Sequence, residues 1–374
     1  MSTSTSSPIF PPIFDGHNDT ILSLLDGRPF FERDDAGAGA SRRDSRGRGR
    51  PSHIDLPRAR EGGLGGGFFA VFVPDPGVPI EPAGDDDTID DVYGQAETMP
   101  PSMPLDYAQA FAVRAMGRLI ALEQESGGAV VVVRTAAELE TALASGTFAV
   151  ELHFEGAEAI DPKLEALPAY YAAGLRSIGP VWSRPNVFAS GVPFQFGVSP
   201  DTGPGLTHAG RALVAACNEL GILVDVSHLN ETGFWDIAGM TRHPIVATHC
   251  GAHALAPSTR NLTDKQIDAI GESDGIVGIN FHTGFLHPEG SSDPTLTSLT
   301  RICDHLDYIA GRIGIAHVAL GSDFDGATMP TDLGDAAGLP GLMAELRRRG
   351  HDDAALTAIA SGNWLRVLRA TWGA

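Results

Sequence analysis

The residues of this chain that are best suited to chemistry are histidines and carboxylates at the ends of apolar, β-branched stretches. They are His17, Asp19, Glu155, His228, His249 and Asp323. Together they supply two clusters of histidine and carboxylate ligands, with one carboxylate left over to bridge two metal ions. Zinc and related divalent ions favour such ligands, and a bound ion lowers the pKa of its water towards neutrality. The set therefore predicts a hydrolase site.

Length, composition and charge fit a globular enzyme. The chain has 374 residues, 43% hydrophobic and 20% charged, which is enough for one barrel or two smaller domains. Its 26 basic and 47 acidic residues give a net charge of −21. This balance argues against nucleic acid or an anionic membrane as a partner, because both need clustered Lys and Arg.

The three cysteines, Cys217, Cys250 and Cys303, form neither a disulfide framework nor a CxxC motif. A reducing compartment is the expectation for such a pattern. The N-terminal residues lack a basic segment followed by a long apolar core, and no stretch reaches the roughly 18 apolar residues of a membrane span. We therefore expect a soluble, cytoplasmic protein.

Eight strand-like runs alternate with helix-like segments such as 105–124, 207–220 and 299–313. The runs are 13–15, 68–73, 148–154, 175–182, 221–227, 244–248, 275–281 and 317–322. Near-continuous apolar strands between helices indicate parallel pairing with both faces buried. Eight such units predict an α/β fold of the (β/α)8 TIM-barrel type, with its active site at the C-terminal ends of the strands. An open doubly wound sheet is the alternative, but it needs a Gly-rich phosphate loop, and no such motif occurs.

The third run shows how a strand would orient its side chains. Val150, Leu152 and Phe154 share one face, and Glu151, His153 and Glu155 share the other. We expect the apolar face to meet the outer helices and the polar face to line the barrel. Glu155 is then nearest the active-site mouth, and the two deeper residues form a structural polar network.

Three irregular segments are expected to be long loop insertions at the active-site face. Residues 27–67, which include the basic run at 41–50, read as a solvated surface insertion after the first strand. Residues 74–104 are expected to cross the mouth of the barrel. Residues 283–298 form either a lid or a simple connection. The chain contains no internal repeat or linker, so we predict one hydrolase domain over 1–374.

Each candidate residue also has an ordinary structural explanation. His17 and Asp19 lie in a tripeptide typical of turns and helix caps, and Asp323 precedes a glycine-containing turn. His228 and His249 are twenty-one residues apart, which is the length of one strand–helix unit, so adjacent strands would place them side by side. This joint spacing favours a metal site. Asp323 is then the general base that moves a proton to the leaving amine, whereas the nearby Asp325 is structural.

Arg260 follows the sixth predicted strand in a loop that faces the expected site. Its planar guanidinium suits bidentate capture of a substrate carboxylate. An ion pair with Asp264, or with another acid of this acidic chain, is the alternative.

Several segments resemble the renal (membrane) dipeptidase family over nearly the whole chain. They include FDGHNDT at 14–20, VDVSHLN at 224–230, ATHCGAHAL at 247–255, STRNLTD at 258–264 and GSDFDG at 321–326. The family consists of binuclear zinc enzymes on a (β/α)8 barrel. The resemblance implies that His17 and Asp19 bind one zinc, that His228 and His249 bind the other, and that Glu155 bridges them. It also implies that Asp323 is the proton shuttle and Arg260 the clamp on the dipeptide carboxylate.

One segment departs from the family pattern. Many members carry a histidine after the fourth strand, with an asparagine four residues on, and this histidine contacts the substrate carbonyl. In this chain Asn186 matches, but Trp182 stands where the histidine would be. An indole donates one hydrogen bond and cannot become a cation. We expect both residues to bind substrate.

The sequence predicts a zinc-dependent metallopeptidase with two zinc ions per chain that cleaves dipeptides with a free C-terminal carboxylate. Hydrolysis of another small carboxylate-bearing amide, such as an N-acyl amino acid or a lactam, is an alternative that Trp182 favours. A barrel that binds without turnover is a further alternative. The expected partner is the small-molecule substrate, and a homodimer remains an open alternative.

Overall fold

The computed structural model describes residues 10–34, 51–76 and 99–373. Its nine strands in these ranges have mostly buried side chains. They are β1 (Ile13–Asn18), β2 (Leu64–Phe72), β3 (Val130–Val132), β4 (Phe148–Glu155), β5 (Leu175–Gly179), β6 (Leu223–Val224), β7 (Val246–Cys250), β8 (Ile276–Ile279) and β9 (Val318–Leu320).

The strands form two parallel sheets. The larger sheet has the order β1-β2-β4-β5-β6, with β3 paired to the start of β4, and the smaller sheet has the order β7-β8-β9. Along the larger sheet, Phe72 is paired with Glu155, and Glu155 is paired with Gly179. This register brings the C-terminal ends of neighbouring strands to one edge. The fold is therefore α/β, with the larger parallel sheet forming a half-barrel.

Isolated backbone bridges connect the two sheets at both of their margins. Asn18 at the end of β1 bridges Phe324 beyond β9, and Asp225 beyond β6 bridges Val246 in β7. The Asp323 N–H also donates to the His17 carbonyl at 2.9 Å. The residues that follow β6 and β9 are thereby brought next to β7 and β1.

Helices follow most strands and cover the outer faces of the sheets. The α-helices of at least five residues in the described ranges are Thr20–Leu25, Leu56–Gly62, Leu105–Glu125, Ala136–Ser145, Leu167–Ala173, His208–Leu220, Glu231–Ala238, Asp264–Glu272, Thr300–Ile313, Leu339–Arg348, Asp353–Thr357 and Asn363–Trp372, and a π-helix, Ala358–Gly362, joins the last two. Local sequence sets several of their starts. Thr135 and Glu138 form a reciprocal capping box, and the Thr207 hydroxyl accepts from the Gly210 N–H.

Each of the eight predicted strands has a counterpart, although the bounds differ. β1 and β7 run further than expected and include His17 and His249, whereas β6 is only two residues long. β3 was not predicted, because a strand of three residues carries too little periodicity to be recognised in the sequence. The three predicted helices at 105–124, 207–220 and 299–313 agree with the structure to within one residue at each end.

The prediction of a surface insertion over 27–67 is wrong for its second half. Ser52, Ile54 and Asp55 are buried, a helix spans Leu56–Gly62, and β2 begins at Leu64. The helix forms because the Asp55 side chain accepts from the Arg58 N–H, and a buried ion pair joins the same two side chains. The basic run at 41–50 lies outside the described residues.

The other two irregular segments are described in part. Residues 77–98, which make up most of the segment expected to cross the mouth, lie outside the described ranges. Within 283–298 a short helix spans Thr283–Leu286, and the Thr283 N–H donates to the Thr328 carbonyl at 3.0 Å. All three cysteines are buried and unpaired. Among the described residues, no helix is long and apolar enough to cross a membrane.

Candidate metal centre

Glu155 is the last residue of β4, and strand alternation decides where its side chain lies. Val150, Leu152 and Phe154 pack in the main hydrophobic core, as predicted. On the other face Ser177 donates to Glu151 at 2.9 Å and contacts His153 Nδ1 at 2.8 Å. These contacts form the predicted polar network inside the sheet. Glu155 lies at the end of this polar face and is 5% exposed.

Three histidines converge on one oxygen of Glu155. Its Oε1 lies 2.9 Å from His228 Nε2, 3.5 Å from His17 Nε2 and 3.5 Å from His249 Nε2. The His228 and His249 Nε2 atoms are 3.0 Å apart, and the His17 and His249 rings stack at 3.8 Å. The strands thus bring together side chains that are up to 232 residues apart in the sequence (His17 and His249).

Asp19 and Asp323 extend this arrangement on the side of His17. The distance from His17 Nε2 to Asp19 Oδ2 is 3.6 Å. Possible ligand atoms of His17, Asp19 and Asp323 all lie within 4.8 Å of one another, and so do those of His17, Glu155 and His249. We refer to His17, Asp19, Glu155, His228 and His249 as the ligand cluster. All five side chains are buried.

The hydrogen bonds of the ligand cluster fit a bound cation. His228 Nδ1 lies 2.8 Å from Ser183 Oγ, and His249 Nδ1 lies 2.8 Å from Thr248 Oγ1. Burial lowers the pKa of both histidines well below the usual value, so both rings are neutral. A neutral ring that donates through Nδ1 presents a lone pair at Nε2. With both Nδ1 atoms protonated, the two Nε2 atoms would face each other as acceptors, an arrangement that a shared metal ion satisfies.

Two other residues of the ligand cluster also fit a bound cation. His17 Nδ1 and Nε2 and Asp19 Oδ1 are buried and have no hydrogen-bond partner among the described residues. Unpaired buried polar atoms are costly unless a ligand satisfies them. Histidine nitrogens and carboxylate oxygens are the donors that zinc takes.

The electrostatics of the cluster reflect its burial. Burial raises the pKa of Glu155 well above the usual range and that of Asp19 to about 6. Burial also acts to lower the pKa of His17, but the nearby carboxylates of Glu155 and Asp19 raise it to about 10. Without a metal, protons would have to provide the positive charge that these carboxylates need.

Asp323 follows β9, and Asn280, which sequence reasoning missed, holds its carboxylate. The Asn280 side chain donates to Asp323 Oδ2 at 2.9 Å. Asn280 directly follows β8, so it carries the same signal as the predicted residues, a polar side chain that closes an apolar run. Asp325 accepts from the His53 N–H at 2.6 Å and from Thr20 Oγ1 at 2.8 Å, which is the structural role expected for it.

Arg260 is buried beside the backbone of β7. Its Nη2 donates to the His249 carbonyl at 3.2 Å, and its guanidinium lies 5.4 Å from the centre of the Phe285 ring. The alternative of an ion pair with Asp264 is wrong, because that carboxylate pairs with Arg312 at 3.1 Å. Among the described residues Arg260 forms no ion pair, and its buried Nε has no hydrogen-bond partner.

Trp182 lies beside the cluster, whereas Asn186 stabilises a turn. The Trp182 ring packs on Phe72 at 4.9 Å and on His228 at 5.7 Å, and it is 2% exposed. The Asn186 amide donates to the Pro180 carbonyl at 2.8 Å and accepts from the Phe188 N–H at 2.8 Å. Contact of either residue with substrate stays a prediction.

Comparison with known proteins identifies the family. The family model described as membrane dipeptidase (peptidase family M19) matches residues 10–372. An uncharacterised protein from the pqqA 5′ region of Klebsiella pneumoniae is 49% identical over 247 residues, covering 66% of this chain and 91% of its own length.

Two solved structures are similar over almost the entire chain. A metallopeptidase from Rhodobacter sphaeroides, liganded with a phosphinate mimic of the dipeptide L-Ala-D-Ala, is 44% identical. Its TM-score is 0.87, with coverage of 97% of this chain and 100% of its own. A dipeptidase described as a metallopeptidase of family M19 is 43% identical, with a TM-score of 0.87 and coverage of 97% and 99%. A family match of this extent, together with the converging histidines and carboxylates, shows that the chain belongs to the membrane dipeptidase family, peptidase family M19.

Proposed function

We propose that this chain hydrolyses dipeptides with a free C-terminal carboxylate, using two zinc ions at the ligand cluster. The observation that carries the proposal is the convergence of three histidine Nε2 atoms on Glu155 Oε1, at 2.9, 3.5 and 3.5 Å. Family membership and the two dipeptidase-like structures support the reaction class.

In this proposal Glu155 is the bridge between two sets of ligands. His17 and Asp19 would hold one zinc ion, and His228 and His249 would hold the other. Zinc bound there would supply the chemistry that activates a water molecule and polarises the carbonyl of the scissile amide. The cluster itself contributes fixed, buried ligands whose geometry is already formed by the strand ends.

Asp323 is the proposed proton carrier. Asn280 holds its Oδ2, which leaves Oδ1 to accept a proton from the attacking water and to deliver it to the leaving amine. Its ligand atoms also lie within 4.8 Å of those of His17 and Asp19, so a direct ligand role is the competing assignment.

Arg260 is the proposed contact for the substrate carboxylate. It is a buried cation without an ion pair among the described residues, and its hydrogen bond to the His249 carbonyl places it beside a proposed zinc ligand. A carboxylate that accepts from the unpartnered Nε would satisfy the guanidinium.

The proposed substrates include dipeptides with a C-terminal D-residue. The support is the Rhodobacter sphaeroides relative, which is liganded with a mimic of L-Ala-D-Ala. The apolar surface of Trp182 beside His228 would favour an apolar N-terminal side chain.

We also propose that the two sheets are the halves of one (β/α)8 barrel and that residues 1–374 form one domain. The bridges Asn18–Phe324 and Asp225–Val246 at the sheet margins support closure. The 0.87 TM-scores to two family members support the same architecture.

The metal part of the proposal is tested by elemental analysis. Protein purified with zinc should hold two equivalents, and Glu155→Gln should impair both sites because one carboxylate serves both. Glu140→Gln, on the outer surface, is the matched control and should retain both ions. Wild-type protein that holds less than one tightly bound zinc would contradict the proposal.

The substrate part is tested by turnover of a small panel. We expect hydrolysis of L-Ala-D-Ala and L-Ala-L-Ala and much slower hydrolysis of N-acetyl-alanine and of alanyl-alanine amide. Faster turnover of the N-acyl amino acid would favour the alternative amide substrates. No turnover of any member by zinc-loaded protein would contradict dipeptide hydrolysis.

A further inference from the structure

The two histidines proposed to share one zinc ion each have a hydroxyl group behind the ring. Ser183 Oγ lies 2.8 Å from His228 Nδ1, and Thr248 Oγ1 lies 2.8 Å from His249 Nδ1. Ser183, Thr248 and both histidines are buried. A hydroxyl can donate or accept, so the protonation of each ring depends on where the hydroxyl proton is directed.

The direction is fixed at Thr248 by Asp225. The Thr248 hydroxyl donates to Asp225 Oδ2 at 2.6 Å. The other carboxylate oxygen, Oδ1, accepts from the Thr248 N–H at 2.9 Å and from the Ser227 N–H at 3.0 Å. These backbone hydrogen bonds hold the carboxylate in place opposite Thr248.

The consequence for His249 follows from counting protons. The Thr248 hydroxyl has a single proton, and it donates this proton in the hydrogen bond to Asp225. The oxygen can then only accept from the ring, so His249 must carry its proton on Nδ1. Its Nε2 is left with a free lone pair, 3.5 Å from Glu155 Oε1 and 3.0 Å from His228 Nε2.

We propose that Thr248, held by Asp225, is a positioning residue that fixes the Nδ1–H tautomer of His249 and aims Nε2 at the zinc ion shared with His228. Ser183 occupies the corresponding position behind His228, with its Oγ 2.8 Å from Nδ1. This inference rests on the zinc site proposed above. Partners of this kind behind a histidine ligand typically raise metal affinity ~10–100-fold.

The central test compares Thr248→Val with Thr248→Ser. Valine keeps the shape of threonine and removes the hydroxyl, whereas serine keeps the hydroxyl. Thr371→Val is the matched control, because Thr371 is equally buried but donates to the Val367 carbonyl in the last helix, away from the cluster. The readout is zinc affinity, measured by competition with a chromogenic chelator.

We expect Thr248→Val to lower the affinity for one of the two zinc ions ~10–100-fold. The affinity for the other ion should stay close to that of the wild type. Thr248→Ser and Thr371→Val should both retain the wild-type zinc affinity. Ser183→Ala should weaken the same ion as Thr248→Val. Equal affinity in wild type and Thr248→Val would overturn the inference, and so would failure of serine to restore binding.

The test also separates this inference from the proposed function. Wild-type protein that binds no zinc contradicts the zinc site itself, whereas two zinc ions in wild type and unchanged affinity in Thr248→Val contradict only the positioning role. If Thr248→Val does not fold, ¹⁵N spectra of histidine-labelled, zinc-loaded wild-type protein decide. A proton on Nδ1 of His249 supports the inference, and a proton on its Nε2 or metal at its Nδ1 overturns it.

Discussion

His228 and Asp323 share a backbone conformation that residues other than glycine rarely adopt. Their φ angles are 65° and 63°, and each lies a few residues past the end of a strand. Such a conformation costs about 1–3 kcal/mol and persists only where the surroundings hold it. Contacts with Ser183 and Asn280 hold the two side chains in place.

Replacement of Asp323 by asparagine should separate proton transfer from metal binding. If Asp323 carries the proton, Asp323→Asn lowers kcat by roughly 10²–10⁴, because an amide cannot accept that proton. KM and the zinc content should change little. Zinc analysis of the same variant is the control, and loss of an ion would show that Asp323 is mainly a ligand.

Removal of the Arg260 guanidinium should cost as much as removal of the substrate carboxylate. Either Arg260→Met or a dipeptide amide deletes a charge-assisted contact worth about 1.5–3 kcal/mol, which corresponds to roughly 10–150-fold in kcat/KM. The two losses should not add, because each removes the same contact. Arg312→Met, which breaks the surface ion pairs with Asp264 and Asp268, is the control and should retain activity. Fully additive losses would show that a residue other than Arg260 binds the substrate carboxylate.

Close approach between neighbouring strands determines where along β7 the candidate ligand His249 lies relative to β1 and β8. Gly278 in β8 faces the Thr248 carbonyl of β7, and a Cβ at this position would overlap that oxygen. Gly16 in β1 also faces the Thr248 carbonyl, at 2.6 Å from a would-be Cβ. Glycine is therefore required here because two backbones meet.

Alanine at Gly278 should disturb both stability and metal binding. The added methyl group must push β7 and β8 apart, at a cost of about 1–3 kcal/mol of unfolding free energy. The substitution should also weaken zinc binding, because it displaces Thr248 and His249. Gly311→Ala is the control, since Gly311 lies in the helix Thr300–Ile313 with open space around it. That change should stabilise by about 0.5–1 kcal/mol. Denaturant unfolding measures both effects, and a stable, fully metal-loaded Gly278→Ala would contradict the packing argument.

At the scale of the whole molecule, the polar interior makes stability depend on pH. Burial raises the pKa of Glu151 to about 8, although Ser177 donates to its carboxylate. Between the ordinary value near 4.5 and about 8 the folded protein keeps this proton while the unfolded chain releases it. The folded state then binds more protons, so this group lowers stability as pH rises through that window.

Glu151→Gln should remove this part of the pH dependence. The amide keeps an acceptor for Ser177 and has no charge, so the variant should gain thermal stability relative to wild type as pH rises from 5 to 9. Glu219→Gln, an exposed position, is the control and should track wild type. Parallel melting temperatures of Glu151→Gln and wild type over this range would show that Glu151 does not titrate as its burial requires.

Most of the strands, and the choice of the six candidate residues, follow from the amino-acid sequence alone. Both rest on local information, since strand alternation and apolar runs are set by neighbouring residues. The same reasoning placed Glu151 and His153 in a polar network and assigned a structural role to Asp325. It overextended the first insertion, because the helix Leu56–Gly62 depends on a buried ion pair that composition does not reveal.

The groups that lie behind the candidate ligands could not be predicted from the sequence. Asp225, Thr248 and Ser183 matter because strand ends far apart in the sequence meet, and hydrogen bonds across that meeting fix the ring nitrogens. For the same reason the sequence left open whether Arg260 pairs with Asp264. In the structure Asp264 pairs with Arg312 instead. The residue types of the candidate ligands can be recognised from the local sequence. The orientation of their side chains depends on contacts between segments that are distant in the sequence.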